Sequence, residues 1–388
     1  MKKFKKRLAL LMLPACLAAT LASAQDARPA PLPEEEMRVE KAAPPDGNRL
    51  YVADFAFHHM VDGRMHMLDG PSGRYLGMIN TSFGGLTTVA PDGKAIYVVT
   101  TYYTRLSRGQ RADVVEIHDP QTFALRAEID IPPHRAQSAS YRSLIGLSGD
   151  GRFLYVQNAT PATSISVVDL EQRKFVSEIQ TPGCWSIQTW TQGYRFSAIC
   201  GDGRLLTITL DDQGQPTTRE RSEPFFDPDQ DPIYIHPEVI GDDRYFVSFK
   251  GDLYKIHLAG DKPVFTPPVS LLDARDRKEA WRPGGMQIMA VHRPSGTLFV
   301  NMHDKGTEGS HKSPSKEIWA FDLATLKRTA RIPSNQAVAI VASQGALPLL
   351  YSLSAPKGEI YVRRITKGYP KLRTIPRVGD TPVFMEVN

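Results

Sequence analysis

A two-strand unit recurs seven times along this chain. In its clearest copy, residues 153–156 form an apolar strand after a polar turn, and residues 165–169 form a second apolar strand that ends in Asp. Short β-prone runs separated by turns are typical of antiparallel sheet. Copies of the first strand occupy residues 49–52, 95–98, 153–156, 194–197, 244–247, 297–300 and 349–352. Copies of the second occupy residues 65–69, 115–119, 165–169, 206–210, 253–257, 318–322 and 359–362.

The spacing of these copies predicts the fold. Successive units are roughly 40 to 60 residues apart, which is the range of β-propeller blades. A single blade would leave an apolar face exposed, so the blades must stack face to face in a closed ring. We therefore predict an all-β chain with one seven-bladed β-propeller over residues 47–388. The repeat overrides the two or three domains that a length of 388 residues would otherwise suggest.

The first 24 residues predict export. Residues 2–7 carry five basic side chains, an apolar run extends to about Leu21, and small residues end at Ala24. This order is typical of a secretory signal peptide over residues 1–24, cleaved after Ala24. The alternative is a lipoprotein signal with a lipidated Cys16, which Pro14 and the continued apolar run disfavour. After cleavage we expect no membrane association.

The charge balance argues against a nucleic-acid partner. Five of the 47 Lys and Arg residues lie in the predicted signal, and none of the 42 Asp and Glu residues does. The remaining chain therefore has 42 basic and 42 acidic residues. Its overall charge gives no reason to expect nucleic-acid binding.

Two cysteines remain after signal cleavage. Cys184 and Cys200 lie at the edges of one predicted blade, where antiparallel strands would bring them side by side. In an exported protein an even pair predicts a disulfide. Two metal ligands are the alternative, but no second pair lies nearby.

Several loops stand out from the repeat. Residues 25–46 are polar and Pro-rich, which predicts an N-terminal arm outside the ring, either mobile or laid on a partner. His58, His59 and His66 invite a metal-site hypothesis. Adjacent histidines on a strand would point to opposite faces, so we favour ordinary loop and strand histidines. The sequence thus predicts no metal site on this chain.

Two aromatic loops have open interpretations. Residues 80–85 place Phe83 among small residues, where the ring serves either as a lid over the core or as a plug into a partner's pocket. Residues 102–111 interrupt the second blade with aromatics and arginines. Insertions of this kind lie at a propeller's ends, where they bind a partner or remain solvated.

Three further segments exceed a simple turn. Residues 225–232 carry alternate Asp residues like a calcium loop but lack the central Gly and terminal Glu, so we predict an inter-blade turn. Residues 281–285 and 303–314 are either contact surfaces or ordinary exposed loops. The sequence contains no G-x-S-x-G, H-E-x-x-H or C-x-x-C motif, and we predict no catalytic residue on this chain.

Five stretches resemble one known family. They are residues 80–85, 102–109, 162–165, 183–186 with 199–203, and 308–312 with 317–319. The chain resembles the large subunit of aromatic amine (aralkylamine) dehydrogenase and, more distantly, the heavy chain of methylamine dehydrogenase. The similarity covers essentially the whole mature chain, which makes it more specific than any single motif.

The resemblance implies a periplasmic quinoprotein with two large and two small subunits. The large subunit is a propeller without a cofactor. The small light subunit carries tryptophan tryptophylquinone (TTQ), and electrons pass to a blue copper protein, azurin or amicyanin. Phe83 would line the substrate channel, and the family's disulfide would join Cys184 and Cys200.

Two rival hypotheses come from other classes. A stand-alone exported propeller hydrolase such as a lactonase would need acidic or His residues converging on the central channel to bind a metal. A pure binding module is the second alternative, although the export signal and the disulfide disfavour its usual intracellular setting. The sequence leaves the amine, the copper protein and the loops that contact the small subunit open.

Overall fold

Seven antiparallel sheets arranged as blades make up the protein. The structure is a computed structural model and describes residues 40–137 and 141–387. Blades 1 and 2 contain β1 (Arg49–Asp54), β2 (Gly63–Asp69), β3 (Tyr75–Ser82), β4 (Leu86–Val89), β5 (Ile96–Arg105), β6 (Arg108–His118) and β7 (Leu125–Ile131). Blades 3 and 4 contain β8 (Ile145–Leu147), β9 (Phe153–Asn158), β10 (Ser164–Asp169), β11 (Lys174–Gln180), β12 (Cys184–Thr189), β13 (Arg195–Cys200), β14 (Leu205–Leu210) and β15 (Pro216–Arg221).

The remaining blades follow the same plan. Blades 5 and 6 contain β16 (Glu238–Ile240), β17 (Asp243–Val247), β18 (Asp252–His257), β19 (Val264–Ser270), β20 (Arg282–Pro283), β21 (Met289–His292), β22 (Thr297–His303), β23 (Glu317–Asp322) and β24 (Arg328–Pro333). Blade 7 contains β25 (Ala337–Ala342), β26 (Leu349–Ser354), β27 (Ile360–Arg364) and β28 (Lys371–Ile375), and β29 (Pro382–Val387) returns to blade 1. The connections include α1 (Ala274–Lys278) and 3₁₀ turns at Met60–Asp62, Arg142–Leu144, Arg293–Ser295 and Ser310–Lys312.

Burial along each blade explains the sequence repeat. The two middle strands are covered on both faces by neighbouring blades, so β9 and β10 consist entirely of buried residues. The outermost strand faces solvent, and all six residues of β15 are exposed. The predicted first and second strands coincide with the two middle strands of every blade. The predicted all-β, seven-bladed propeller is therefore confirmed.

The C-terminal strand closes the ring. β29 pairs antiparallel with β1, with Val387 opposite Leu50. The buried Asp54 carboxylate accepts hydrogen bonds of 2.7 Å from the backbone N–H groups of both Asp380 and Thr381. Blade 1 therefore combines both ends of the propeller, and Asp54 anchors the turn that leads into its last strand.

The end of the predicted arm lies against blade 2. The Ala42 N–H donates to the Gln121 carbonyl at 2.9 Å, and the Gln121 side chain donates back to the Ala42 carbonyl at 3.0 Å. Residues 25–39 and the predicted signal over residues 1–24, with Cys16, lie outside the described residues. Among the described residues, no helix is both long and apolar enough to cross a membrane.

The segment 102–111 is a β-hairpin rather than a loop that interrupts blade 2. β5 and β6 remain paired out to Arg105 and Arg108. The tip carries Leu106, whose side chain is 79% exposed. The hairpin therefore extends the sheet beyond the ring and presents an apolar residue to solvent.

Candidate functional site

Strand order places three apolar side chains at one end of the ring. In an antiparallel blade, successive turns alternate between the two ends of the sheet. The linkers between blades and the loops between the two middle strands therefore share an end, which we call the linker end. Phe57 follows β1, Phe83 lies between β3 and β4, and Leu106 lies between β5 and β6. The linker end thus carries all three, on blades 1 and 2.

Phe83 lies on a tight linker of three residues. Ser82 and Gly84 on either side both have positive φ values, 45° and 57°. A Cβ atom on Gly84 would lie 2.8 Å from the Gln137 carbonyl oxygen, and one on Gly85 would lie 2.3 Å from the Thr81 carbonyl oxygen. Glycine is therefore required at both positions because the linker approaches other backbone closely. The small residues around Phe83 define its backbone conformation.

A buried arginine holds this linker. Arg135 donates from Nη2 to the Phe83 carbonyl and from Nη1 to the Gly84 carbonyl at 3.1 Å. Its Nε donates to Thr101 Oγ1 at 2.7 Å. Burial lowers the pKa of Arg135 to about 10, so the guanidinium remains charged at neutral pH. The linker is thereby fixed through its main chain.

Asp113 provides the negative charge of this network. Its carboxylate accepts from the Thr101 hydroxyl at 2.6 Å, from the Arg135 backbone N–H at 3.0 Å and from Arg111 Nη2 at 2.7 Å. Both Asp113 and Arg135 are only 1% exposed. Buried charges need compensating partners, and here Asp113 is ion-paired with Arg111 while every guanidinium nitrogen of Arg135 donates a hydrogen bond.

The Phe83 ring packs against Tyr103. The two ring centroids are 5.8 Å apart and the planes meet at 78°, an edge-to-face contact. Both side chains are partly exposed. The Tyr103 hydroxyl is hydrogen-bonded to the Gln137 side chain at 3.1 Å. The linker end therefore presents a rigid aromatic pair, which is the candidate site.

The cysteine pair lies elsewhere, in blade 4. Cys184 on β12 faces Cys200 on β13 directly in the sheet register, and the structure joins them by a disulfide. Both residues are buried. The bond links the innermost strand of its blade to the next strand, and it does not contribute to the aromatic pair.

The histidines and the Asp-rich segment occupy structural positions. His58 and His59 are exposed, whereas His66 is buried with Nδ1 2.9 Å from the Tyr75 hydroxyl. Asp227 accepts hydrogen bonds from the N–H groups of Asp229 and Gln230, within the linker between blades 4 and 5. That segment is the predicted inter-blade turn. Among residues 40–137 and 141–387, no group of three or more His, Cys, Asp or Glu side chains is placed to hold a metal ion.

The segment 281–285 is not a contact surface. Trp281 is 2% exposed and its ring centroid lies 5.0 Å from that of Trp319 in blade 6. The segment 303–314 is an exposed loop with a short 3₁₀ turn at Ser310–Lys312. The first segment is therefore neither of the two predicted alternatives, a contact surface or an exposed loop, whereas the exposure of residues 303–314 is compatible with both.

A cavity of about 180 Å³ lies among the innermost strands. Arg142 Nε donates to Glu386 Oε1 at 2.7 Å on its wall. Burial raises the pKa of Glu238 to about 7, although Arg142 favours the ionised form. Burial and the same arginine lower the pKa of His236 to about 3. Glu238 can therefore gain or lose a proton near neutral pH, in a region separate from the aromatic pair.

The sequence predicts Phe83 as a candidate, but it does not predict the residues that hold its linker. Arg135 and Asp113 are 22 positions apart and come together only because β6 and β7 pair. No local motif marks either residue. The one available sequence signal for this network is a charged residue at a position that strand periodicity places inside a blade. Asp113 lies at such a position.

The fold and the site together define a seven-bladed propeller with a rigid aromatic linker at one end. The methylamine dehydrogenase heavy chain family model matches residues 46–387. The chain therefore belongs to the methylamine dehydrogenase heavy chain family, as the predicted resemblance indicated.

Individual relatives agree with the family match. The methylamine dehydrogenase heavy chain of Methylophilus methylotrophus is 29% identical over 352 residues, covering 90% of this chain and 85% of that protein. The heavy chain of Methylorubrum extorquens is 30% identical over 328 residues, covering 84% and 79%.

Solved structures share the fold alone. A putative 6-phosphogluconolactonase from Bacteroides fragilis superimposes with a TM-score of 0.60 at 11% identity, covering 91% of this chain and 99% of that one. A dihydro-heme d1 dehydrogenase gives a TM-score of 0.54 at 15% identity, covering 92% and 82%. Function does not transfer at these identities because propellers host many chemistries.

Proposed function

We propose that this chain is the heavy subunit of a periplasmic quinoprotein amine dehydrogenase, an aralkylamine dehydrogenase. The complex contains two heavy and two light subunits, and the light subunit carries TTQ. It converts a primary arylalkyl amine and water into an aldehyde and ammonia. The reaction also releases two protons and two electrons, and the electrons pass one at a time to a blue copper protein, azurin or amicyanin. Export through the cleaved signal over residues 1–24 belongs to the same proposal.

Family membership supports an amine dehydrogenase complex with a light-chain partner. The resemblance of residues 80–85 and 102–109 to the aromatic amine enzyme supports the finer assignment. The observation that carries it is the aromatic pair, because Phe83 and Tyr103, packed edge to face, offer an aromatic wall to an arylalkyl group.

The linker end also fits a partner's surface. Phe57 is 45% exposed and Leu106 is 79% exposed on the same end as Phe83. Exposed apolar side chains on the same end of a ring as an aromatic pair are typical of a surface that another protein covers. Covering this end would exclude water from the amine site and place Phe83 against the light subunit.

The residues of this chain fit a supporting role toward the quinone. Arg135 takes up the Phe83 and Gly84 carbonyls, so the linker presents its ring rather than polar groups. When bound in the light subunit, the quinone supplies the electron sink for amine oxidation. Phe83 and Tyr103 contribute apolar contact and orientation to the substrate's side chain.

Methylamine dehydrogenase is the second candidate. The relatives from Methylophilus methylotrophus and Methylorubrum extorquens are both named methylamine dehydrogenase heavy chains. A complex of that type would prefer methylamine, whose single carbon makes little contact with an aromatic wall. The ratio of kcat/KM for phenylethylamine to that for methylamine separates the two candidates.

Purification of the native assembly tests the proposal. We expect this chain to elute with a small chain that absorbs as a quinone, in equal numbers, with amine-dependent dye reduction in that fraction. The chain expressed alone should fold as a β protein without chromophore or activity, and the matured small chain should restore turnover. Amine oxidation by the isolated chain would contradict the proposal.

A further inference from the structure

Arg135 uses its whole guanidinium group on the aromatic linker and its surroundings. Nη2 donates to the Phe83 carbonyl, Nη1 donates to the carbonyls of Gly84 and Ala136, and Nε donates to Thr101. The side chain is almost completely removed from solvent. Moving a charge into the protein interior costs free energy. We therefore ask what the hydrogen-bond geometry of the buried Arg135 guanidinium achieves.

The linker that it holds is strained. Ser82 is a non-glycine residue with a φ of 45°, followed two positions later by Gly84 with a φ of 57°. Conformations of this kind persist only where the surroundings fix them by several contacts. The contacts here are Arg135, the Thr100 hydroxyl that donates to the Thr81 carbonyl at 2.5 Å, and the Ser82 hydroxyl that donates to the Thr101 carbonyl at 3.1 Å.

The same network also reaches the second ring of the pair. Thr101 and Tyr103 are two residues apart on β5 and therefore lie on one face of the sheet. Thr101 accepts from Arg135 and donates to Asp113, which fixes the strand that carries Tyr103. One guanidinium thus connects the backbone under Phe83 with the strand under Tyr103.

We propose that Arg135 is the positioning residue for amine preference, because it fixes the distance and angle between the Phe83 and Tyr103 rings. This inference rests on the proposed function, in which the aromatic pair contacts the amine's side chain. Arg135 does not touch the substrate and acts through the linker backbone.

Lysine cannot replace arginine in this role. The planar guanidinium presents donors in a fixed fork that reaches two adjacent carbonyls, whereas an ammonium is a compact point donor. Arg135→Lys keeps a positive charge near Asp113 and loses the simultaneous hydrogen bonds to the Phe83 and Gly84 carbonyls. The substitution therefore separates the charge from the geometry.

The main experiment compares Arg135→Lys with Arg244→Lys in the assembled enzyme. Arg244 is a matched control, since it is buried, its pKa is also lowered to about 10 by burial, and it donates to the carbonyls of Thr189 and Gly241. It lies at the opposite end of the ring, beside the turn between β16 and β17.

For Arg135→Lys we expect the phenylethylamine-to-methylamine ratio of kcat/KM to fall roughly two- to fivefold, the scale of a partly lost aromatic contact. The change should appear in KM for phenylethylamine, with kcat little altered. Arg244→Lys should lower stability and leave the ratio unchanged. An unchanged ratio in Arg135→Lys, or an equal change in both variants, overturns the proposal.

A double-mutant cycle tests whether Arg135 acts through the ring. In a Phe83→Ala background, Arg135→Lys should have no further effect on the ratio, because the positioned group is already absent. Additive effects of the two substitutions contradict positioning.

Thr101→Val is a second variant in case Arg135→Lys fails to fold. It removes the acceptor of the Arg135 Nε hydrogen bond with little change in shape and should shift the ratio in the same direction. An unshifted ratio counts against the proposal.

Amide hydrogen exchange of the chain provides a readout that does not need activity. Exchange at residues 82–86 should accelerate in Arg135→Lys and remain at the native rate in Arg244→Lys. If the complex proves not to oxidise amines while exchange still accelerates, the proposed function fails and the structural role of Arg135 stands. If amines are oxidised and exchange at the linker is unchanged, the positioning role fails on its own.

Discussion

Two junctions between blades each contain a buried aspartate with nearby arginines, but only one of them leaves its aromatic side chain accessible. Between blades 1 and 2, Asp113 and its arginines fix a three-residue linker whose aromatic ring is partly exposed. Between blades 5 and 6, the linker includes α1 and the buried Asp276, which pairs with Arg328 at 2.6 Å and lies 3.9 Å from Arg331. Charge of the same kind therefore supports opposite outcomes for the nearby aromatic side chains.

The second junction encloses its aromatic rings completely. Arg328 lies 4.2 Å above the Trp319 ring, and Arg331 lies 4.5 Å above the Trp281 ring. Both tryptophans are at most 2% exposed. Stacked guanidinium and indole groups provide packing and cation–π attraction without leaving an apolar surface. The junction stabilises the ring and presents no aromatic group to a partner.

The two junctions differ in whether their arginines stabilise the fold or keep an aromatic ring accessible at the surface. A buried ion pair is weak support for stability compared with an apolar core, although breaking one is costly. At the first junction the arginine's donors go to backbone carbonyls, which leaves the ring free to contact something outside the chain. At the second junction the arginines cover the rings, so packing is the whole result.

Removal of each aspartate gives the largest expected effect. Asp276→Ala and Asp113→Ala should each lower the free energy of unfolding by about 3 kcal/mol, because each removes a buried carboxylate that accepts a charged hydrogen bond, from Arg328 and from Arg111 respectively. Only Asp113→Ala should also lower the phenylethylamine-to-methylamine ratio of kcat/KM. Denaturant unfolding and substrate kinetics on the same preparations measure both. A ratio change in Asp276→Ala would remove the distinction between the junctions.

A smaller effect is expected from acid, which should destabilise blade 1 by protonating Asp54. Burial opposes ionisation of Asp54, but the His66 ring, whose Nε2 lies 3.6 Å from the carboxylate, and hydrogen bonds from the N–H groups of Asp380 and Thr381 outweigh it and lower the pKa from 3.8 to about 2. Because the pKa of Asp54 is lower in the folded than in the unfolded protein, its charge stabilises the fold fully at pH values above the unfolded-state pKa. This stabilisation is lost as the pH falls toward the folded-state pKa. The contribution is about 2 kcal/mol.

Comparison with Asp54→Asn isolates this contribution. The difference in free energy of unfolding between the native protein and the variant should be full at about pH 5 and should shrink toward about pH 2. A difference that is constant over this range would show that the Asp54 charge does not anchor the closing strand β29.

The blades could be predicted from the sequence because their signal is local and repeated. Residues 153–156 and 165–169 already show the buried middle strands, and burial on both faces leaves Ser166 and Asp169 as their few polar positions. The closing strand β29 was missed as such, since its partner β1 lies more than 300 residues away. Likewise, residues 102–111 were interpreted as a loop because polar residues on an exposed hairpin resemble one.

The candidate site was only half predictable. Phe83 is marked by the small residues around it, whereas Arg135 depends on pairing between distant strands and on backbone carbonyls that carry no sequence signal. Trp281 shows the opposite error, since an aromatic in an irregular segment suggested a surface and proved to be core. Long-range pairing, rather than residue type, decides which aromatic is presented.

Phe83→Ala in the assembled enzyme tests the central claim most directly. The ring is partly exposed, so its loss should cost about 1 kcal/mol of contact with an arylalkyl group, less than the 1.5 to 3 kcal/mol of a fully buried aromatic. That corresponds to a roughly fivefold higher KM for phenylethylamine, with kcat and methylamine kinetics little changed. An unchanged ratio of kcat/KM together with a melting temperature lowered by several degrees would show that Phe83 is core packing and would contradict the account.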